Sequence, residues 1–364
     1  MEINQMEDNS ALFMQGNEAL AEAALRAGMQ AYFGYPITPQ SEVMEYLSAH
    51  AKTHKAVVLQ AESELAAINM VYGAAGAGAR VMISSSSPGI SLMQEGISYM
   101  VSAEIPCLIV NVQRGGPGLG TIQPSQADYF QATKGGGHGD YRLFVLAPSS
   151  VQEMADLVFE GFRLADKYRN PVMILADGAL GQMMEKVKMP AAGSLPYSEK
   201  PWATVGKPST RERNILTSLH IVPERMEEIN LRLQDKYRKM HQDVRCEQIG
   251  VDDAEILLVA FGLSARICQK AIELAKEKGI NVGLLRPITL FPFPTDAIAK
   301  IVPRVEAVLT VEMNAGQMVE DVKLAVNGKR PVYFKGRMGG MIPTPDDILL
   351  EIETIAEKSR IAQV

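Results

Sequence analysis

GYPITPQSEVMEYLSAHAKTHKAVVLQAESELAAINMVYGAAGAGARVMISSSSPG, residues 34–89, decides the fold. Its apolar stretches are short: Ala56 to Gln60 and Val81 to Ser84 each read as a buried strand bounded by turn residues. Between them, Glu64 to Gly78 reads as a helix of small residues, and another helix starts near Ser41. Strand and helix alternate, which is the pattern of a parallel sheet covered on both faces.

Working outward, Gly16 to Gly28 is an alanine-rich helix followed by a strand from Ala31 to Tyr35. Cys107 to Val112, Leu143 to Ala147 and Val172 to Ala176 are further apolar runs of strand length. From Val187 to Lys207 the texture changes, with Pro190, Pro196 and Pro201 inside it and Pro208 just beyond, which marks a linker. Pro223 to about Arg245 is a long charged helix whose face of Met226, Ile229, Leu233 and Tyr237 needs a packing partner. A second α/β unit starts near Ala254, with strands at Ile256 to Phe261, Asn281 to Leu285, Ala307 to Glu312 and Pro331 to Lys335. Its first helix is expected to be capped by Ser264 and closed by Gly279, and another runs from about Gln317 to Val326. The expected organisation is α/β, two parallel-sheet domains at 1–186 and 254–364, joined by a linker and long helix at 187–253.

Composition excludes several function classes. Hydrophobic content of 47% with 21% charged residues is globular, and a net charge of −6 without a basic run speaks against nucleic acid. Cys107, Cys246 and Cys268 form no C-x-x-C pair, so this chain alone builds neither a zinc ribbon nor a ferredoxin-type cluster. The odd count favours reduced thiols in the cytosol. The first residues, with Glu2, Glu7 and Asp8, lack the basic and apolar regions of a signal peptide, and no apolar run is long enough to span a membrane. A soluble cytoplasmic protein is expected.

Chemistry is expected at strand ends. Tyr35, Pro36, Ile37 and Thr38 leave the first parallel strand in a loop stiffened by Pro36 and Pro39; it either presents a hydroxyl or is a turn with a capping threonine. Glu62 and Glu64 stand at a helix start, where a carboxylate ordinarily only complements the dipole. The glycines of that helix, Gly73, Gly76 and Gly78, leave room for a cofactor or another backbone. Ser84 to Gly89, including Ser87, supplies hydroxyl and amide donors but lacks a Walker lysine. Arg114 follows a strand and opens a glycine loop, a sensible place for a carboxylate clamp. The GGGHGD stretch, 135–140, suits a loop near a substrate or partner, and the five scattered histidines argue against a metal at His138. Glu312-Met313-Asn314 marks a site by position only.

Several motifs together resemble one family. GYPITPQSE (34–42), QAESELAAINMVYGAAGAG (60–78), SSSSPGISLMQEG (84–96), NVQRGGPG (111–118), QPSQADYFQATKGGGHGDYR (123–142) and RPITLFPFP (286–294) are similar to the 2-oxoacid:ferredoxin oxidoreductases, as are TVEMNAGQM (310–318) and KGRMGGMIPTP (335–345). The resemblance is to the subunit with a pyrimidine-binding domain for thiamine diphosphate and a transketolase C-terminal-like domain, closest to the branched-chain, 2-oxoisovalerate type. It implies oxidative decarboxylation of a 2-oxoacid, with the acyl group passing to coenzyme A and electrons to ferredoxin. It implies Glu64, rather than Glu62, as the cofactor-activating glutamate, with Thr38 and Arg114 on the substrate. Tyr35, Pro36, Ile37, Ser87 and Gly89 would adjoin the cofactor. The family's G-D-G-type diphosphate and Mg²⁺ motif is not found here. The resemblance therefore places those ligands on a partner subunit and the iron–sulfur clusters on a ferredoxin-like subunit, beside a small gamma-type subunit, and leaves this chain with no metal ligand. A 2-oxoglutarate enzyme, a non-redox thiamine diphosphate enzyme, a non-catalytic scaffold and a flavodoxin-like protein remain as alternatives.

Overall fold

The structure is a computed structural model that describes residues 11–207 and 209–362. Pro208, the first ten residues with Glu2, Glu7 and Asp8, and the last two residues lie outside the described residues. In chain order the first half contains β1 (Leu12–Gln15), α1 (Gly16–Arg26), β2 (Ala31–Gly34), α2 (Ser41–His50), β3 (Val57–Gln60), α3 (Glu64–Gly76), β4 (Val81–Ser85) and α4 (Ser87–Ser102). It continues with β5 (Leu108–Gln113), β6 (Phe144–Leu146), α5 (Val151–Tyr168), β7 (Val172–Asp177), α6 (Gly178–Gln182) and β8 (Met184–Val187). After the linker come α7 (Pro223–Met240), β9 (Cys246–Ile249), β10 (Ile256–Val259), α8 (Gly262–Glu277), β11 (Val282–Pro287), β12 (Thr289–Phe291) and α9 (Thr295–Ile301). β13 (Ala307–Glu312), α10 (Met318–Val326), β14 (Val332–Gly336) and α11 (Pro345–Ala362) complete the order.

The expected α/β class is what the chain adopts. One sheet has seven strands in the order β12-β6-β7-β5-β4-β2-β3, parallel except for β12. The other has five in the order β14-β13-β10-β11-β9, parallel except for β9. Neither sheet is purely parallel, because short segments beside the long crossovers fill their edges. A third, two-stranded antiparallel sheet pairs β1 with β8, far apart in sequence.

Side-chain size sets the helix packing. α1 buries nearly all of its alanine-rich surface. α3 and α4 approach closely because Gly96 leaves no side chain between them; a methyl group there would stand 2.7 Å from Ile68 Cγ2. α7 buries Ile229, Leu233, Tyr237 and Met240, and Lys236 on the same helix reaches the Arg169 carbonyl beyond α5. It ends at Met240, short of Arg245, where a 3₁₀ turn takes over.

Polar contacts lock the two larger sheets' layers together. Arg286, 4% exposed on β11, donates to Glu153 on α5 at 2.7 and 2.9 Å and to Glu247 on β9 at 2.7 Å. Gln126 donates to the Phe261 and Met313 carbonyls, and its side-chain oxygen accepts from Met313 N–H and Ser264 Oγ. That last contact corrects the expected Ser264 cap. α8 begins two residues earlier, at Gly262 with φ +54, and the Ser264 hydroxyl serves the seam instead.

Asp177, fully buried at the end of β7, caps the short α6 through Oδ1, while Oδ2 has no hydrogen-bond partner. Burial pushes its carboxyl up to about 6 against the pull of the backbone N–H groups. A raised folded value means the native state binds the proton more tightly than the unfolded chain does. The cost of ionisation is therefore present above pH 6 and relieved as pH falls towards 4. Asp177→Asn is expected to raise the unfolding free energy from urea titration at pH 7.5 by about 1–2 kcal/mol, with the gain shrinking as pH falls from 6 towards 4. A destabilised variant at pH 7.5 would contradict this account.

Candidate functional site

Parallel strands place their carboxyl ends on one rim of the sheet, where α/β folds bind ligands. There the loop after β2, the β4–α4 junction and the residue after β5 converge. Arg114 is held at that rim by two carbonyls: one guanidinium nitrogen donates to Thr38 O at 3.0 Å, another to Leu119 O at 3.1 Å. Its Nε is buried without a partner, and among the described residues no acidic group pairs with it. Arg114 and Thr38, far apart in sequence, are thus neighbours. Thr38 and Tyr35 are exposed.

Arg114 lines a cavity of about 640 Å³ between the two large sheets. Pro117, Leu119, Ala127, Met313 and Met338 make much of its wall apolar, and Arg114 is its only cationic lining residue among those described. The candidates from the GGGHGD region do not line it. Lys134 pairs with Asp321 at 2.5 Å, Arg142 donates to the Lys134 and Tyr141 carbonyls, and His138 meets the Tyr99 ring edge-on.

Glu64 lies behind the α4 N-terminus. Ser87, Pro88 and Ser91 face the cavity, while Gly89 backs onto Glu64: a methyl group at Gly89 would meet Ser85 Oγ and stand 2.6 Å from Glu64 Oε1. Glu64 is 7% exposed, and its carboxyl makes no hydrogen bond or ion pair with any described residue. Ser63, not Glu64, caps α3, accepting from Ala66 N–H at 3.2 Å. Glu62 is exposed. The hydroxyls of Ser85 and Ser86 are buried without partners as well. An unpaired buried carboxyl beside two unpaired hydroxyls and a glycine is a donor set that fits the polar edge of an aminopyrimidine. Among the described residues no group of three or more His, Cys, Asp or Glu could hold a metal ion.

The small-residue helix is used differently along its length. Gly76 and Gly78 are covered by the linker, whose Thr204 N–H donates to Gly76 O at 2.9 Å and Tyr197 hydroxyl to Gly78 O at 2.6 Å. The linker, by side chains as well as backbone, covers those two positions. Gly73 faces open space.

Sequence reading named Ser87 and marked Glu312-Met313-Asn314 by position, but missed Asp128, which joins them at the site. Ser87 Oγ is committed to Asp128 at 2.6 Å, and both line the cavity. Asn314, also on the wall, donates to Gln126 O and to Glu312, whose carboxylate accepts the N–H groups of Met318 and Val319 at the start of α10. Burial pushes the Glu312 carboxyl up, and those donors hold it down. The only available signal was a polar cluster, QPSQAD (123–128), after a strand end.

Residues 22–247 match the family model described as pyruvate flavodoxin/ferredoxin oxidoreductase, thiamine diphosphate-binding, and residues 254–348 match pyruvate:ferredoxin oxidoreductase core domain II. The chain belongs to the 2-oxoacid:ferredoxin oxidoreductase family, as a subunit with the thiamine diphosphate-binding domain. It is 51% identical to the ketoisovalerate oxidoreductase subunit VorB of Methanothermobacter thermautotrophicus, over 95% of this chain and 98% of that one. It is 35% identical to the 2-oxoglutarate synthase subunit KorA of Methanocaldococcus jannaschii, over 92% and 97% of the two chains. Its structure superposes on 2-oxoglutarate:ferredoxin oxidoreductase from Magnetococcus marinus with a TM-score of 0.85 at 27% identity, covering 96% of this chain and 66% of that longer one. A split-gene transketolase, at 13% identity and a TM-score of 0.59, shares the fold. No helix among the described residues is long and apolar enough to cross a membrane.

Proposed function

We propose that this chain holds the aminopyrimidine end of thiamine diphosphate in a 2-oxoacid:ferredoxin oxidoreductase whose preferred substrate is 2-oxoisovalerate (3-methyl-2-oxobutanoate). The observation that carries the reading is Arg114, a guanidinium without an acidic partner on the wall of a largely apolar cavity. When bound, thiamine diphosphate supplies the electron sink for cleavage of the bond to the departing carboxylate. Glu64 would hold a proton at N1′ of the aminopyrimidine, in a pocket where no described residue competes for that carboxyl. Arg114 would fork onto the substrate carboxylate, with the Thr38 hydroxyl beside it. Tyr35, Pro36, Ile37, Ser87 and Gly89 would shape the cofactor's surroundings, within a domain spanning 1–186, with 187–253 as connector and 254–364 as the second domain.

The remaining parts are proposed for partner chains of a soluble, cytoplasmic complex. One supplies the diphosphate and Mg²⁺ ligands, because the G-D-G-type motif is absent from this sequence. A ferredoxin-like chain carries the iron–sulfur clusters, because three separated cysteines cannot. A small gamma-type subunit completes the assembly, coenzyme A takes the acyl group, and ferredoxin takes the electrons. The free edge strand β3, with Val57 and Leu59 exposed, and Leu65 and Leu92 nearby, support a covering chain on the Glu64 side.

Preference for a branched-chain acid follows from the cavity wall. The second carboxylate of 2-oxoglutarate would need a cation or several donors once buried, at a cost of several kcal/mol without them. Arg114 is the only lining cation among the described residues, and the VorB relative is more similar than the KorA one. Anaerobic assays of the whole complex with coenzyme A and a viologen acceptor are expected to give 2-oxoisovalerate a kcat/KM at least tenfold above 2-oxoglutarate. Pyruvate, two methylenes smaller, should trail as well, since each methylene is worth about 1–3 kcal/mol. A tenfold preference for 2-oxoglutarate would overturn the substrate assignment and leave the family intact.

A further inference from the structure

Arg114 is fixed at its head by two neutral carbonyls, one of them in the exposed loop 116–120. Its buried anchorage is at the backbone. Arg114 N–H donates to Ser87 Oγ at 3.1 Å, and Arg114 O lies 3.3 Å from the same hydroxyl. Ser87 Oγ also lies 2.6 Å from Asp128 Oδ2. A hydroxyl has one proton to give, and the short contact to a carboxylate outcompetes the longer one to a carbonyl. The proton therefore points at Asp128, which leaves the oxygen's lone pairs free for Arg114 N–H.

Asp128 is itself pinned. Its Oδ2 also accepts from Asn111 Nδ2 at 2.9 Å, and its N–H donates to Gln113 Oε1 at 3.0 Å, so two β5 side chains hold it. Its other oxygen has no hydrogen-bond partner among the described residues, and the residue lies on the cavity wall without an ion pair to Arg114. Burial pushes its carboxyl up while Ser87 and Asn111 hold it down, so the two donors are what keep the group useful as an acceptor. Such an arrangement orders the peptide from which the arginine side chain springs.

We infer that Asp128, acting through Ser87, is a positioning residue for Arg114 and sets how tightly the complex holds the carboxylate of any 2-oxoacid, whatever its side chain. This inference rests on the reading of Arg114 as the carboxylate clamp. It differs from a general packing role in one respect: loss of Asp128 should weaken charged ligands selectively.

The test uses the assembled complex and a matched pair of probes, 2-hydroxyisovalerate and its neutral amide, measured by equilibrium dialysis. Asp128→Ala and Ser87→Ala are each expected to raise the Kd of the hydroxyacid about tenfold, the scale of a lost hydrogen bond to a charged group, and to leave the amide within about twofold. Because the two act in series, the double variant should be no weaker than either single one. Asp128→Asn retains an acceptor for Ser87 and should restore most of the affinity. For Asp128→Ala, KM for 2-oxoisovalerate and for pyruvate should rise by the same factor, with a much smaller change in kcat. Equal losses for both probes, no loss for either, or additive single effects would overturn the inference. Should Asp128→Ala fail to assemble, Ser87→Ala alone decides between these outcomes. Arg114→Ala separates the two levels of the argument. If it leaves hydroxyacid affinity intact, the clamp reading itself fails. If it abolishes binding while Ser87→Ala and Asp128→Ala do not, only the role of Asp128 fails.

Discussion

Glu64→Gln is expected to lower turnover of the assembled complex by about 10²–10⁴, the usual worth of a positioned acid–base group, while Glu62→Gln stays near wild type. The two glutamates are two residues apart, and their surroundings separate them. Glu62 is exposed, whereas Glu64 is buried against Gly89 and Ser85. The ordinary explanation for a glutamate at a helix start is service to the helix itself. Here Ser63 caps α3 by accepting from Ala66 N–H, and no described residue binds the Glu64 carboxyl. A buried carboxyl that stabilises nothing in its own chain is a cost unless a ligand meets it. Glutamine keeps the shape and removes the proton. Parallel turnover assays of both variants decide the matter, and a reversed ranking would move the assignment from Glu64 to Glu62.

Arg114→Ala is expected to reduce kcat/KM for 2-oxoisovalerate by about 10²–10⁴. Each hydrogen bond to a charged group is worth about 1.5–3 kcal/mol, and a forked contact makes two of them. Arg114→Lys should recover only part, because a point charge cannot reproduce the fork. The variant also removes the contacts to Thr38 O and Leu119 O, so the YPITP loop and the glycine loop lose their common tie. A fall of less than tenfold in anaerobic assays with saturating coenzyme A would remove Arg114 from the substrate site.

The strands that were legible in the sequence are the parallel ones, the edge strands β3 and β14 included. Val81–Ser85, Leu108–Gln113 and Val172–Asp177 are buried throughout, and their apolar runs mark them to within a residue. The edge strands β1, β8, β9 and β12 were not found. They are three or four residues long and partly polar, and Cys246–Ile249 or Met184–Val187 becomes a strand only because a distant partner offers its hydrogen bonds. Ser264 misled for a related reason: its type suits a cap, but Gln126 claimed the hydroxyl.

The order of short apolar runs and helices was enough to determine the α/β layering, and strand-end position was enough to mark Thr38 and Arg114 as candidates, whereas the choice of Glu64 over Glu62 came from the family resemblance. What the tertiary structure alone decided is which polar groups are satisfied. Among the described residues Arg114 has carbonyl partners but no acid, the Glu64 carboxyl has no partner, Ser87 is bound to Asp128, and Lys134 is occupied by Asp321. Each outcome depends on which groups stand within about 3 Å. In this chain those partners lie 41 residues away for Ser87 and Asp128, 76 for Arg114 and Thr38, and 187 for Lys134 and Asp321. Local pattern records propensity and burial, but a hydrogen bond between residues so far apart is set by the packing of whole layers.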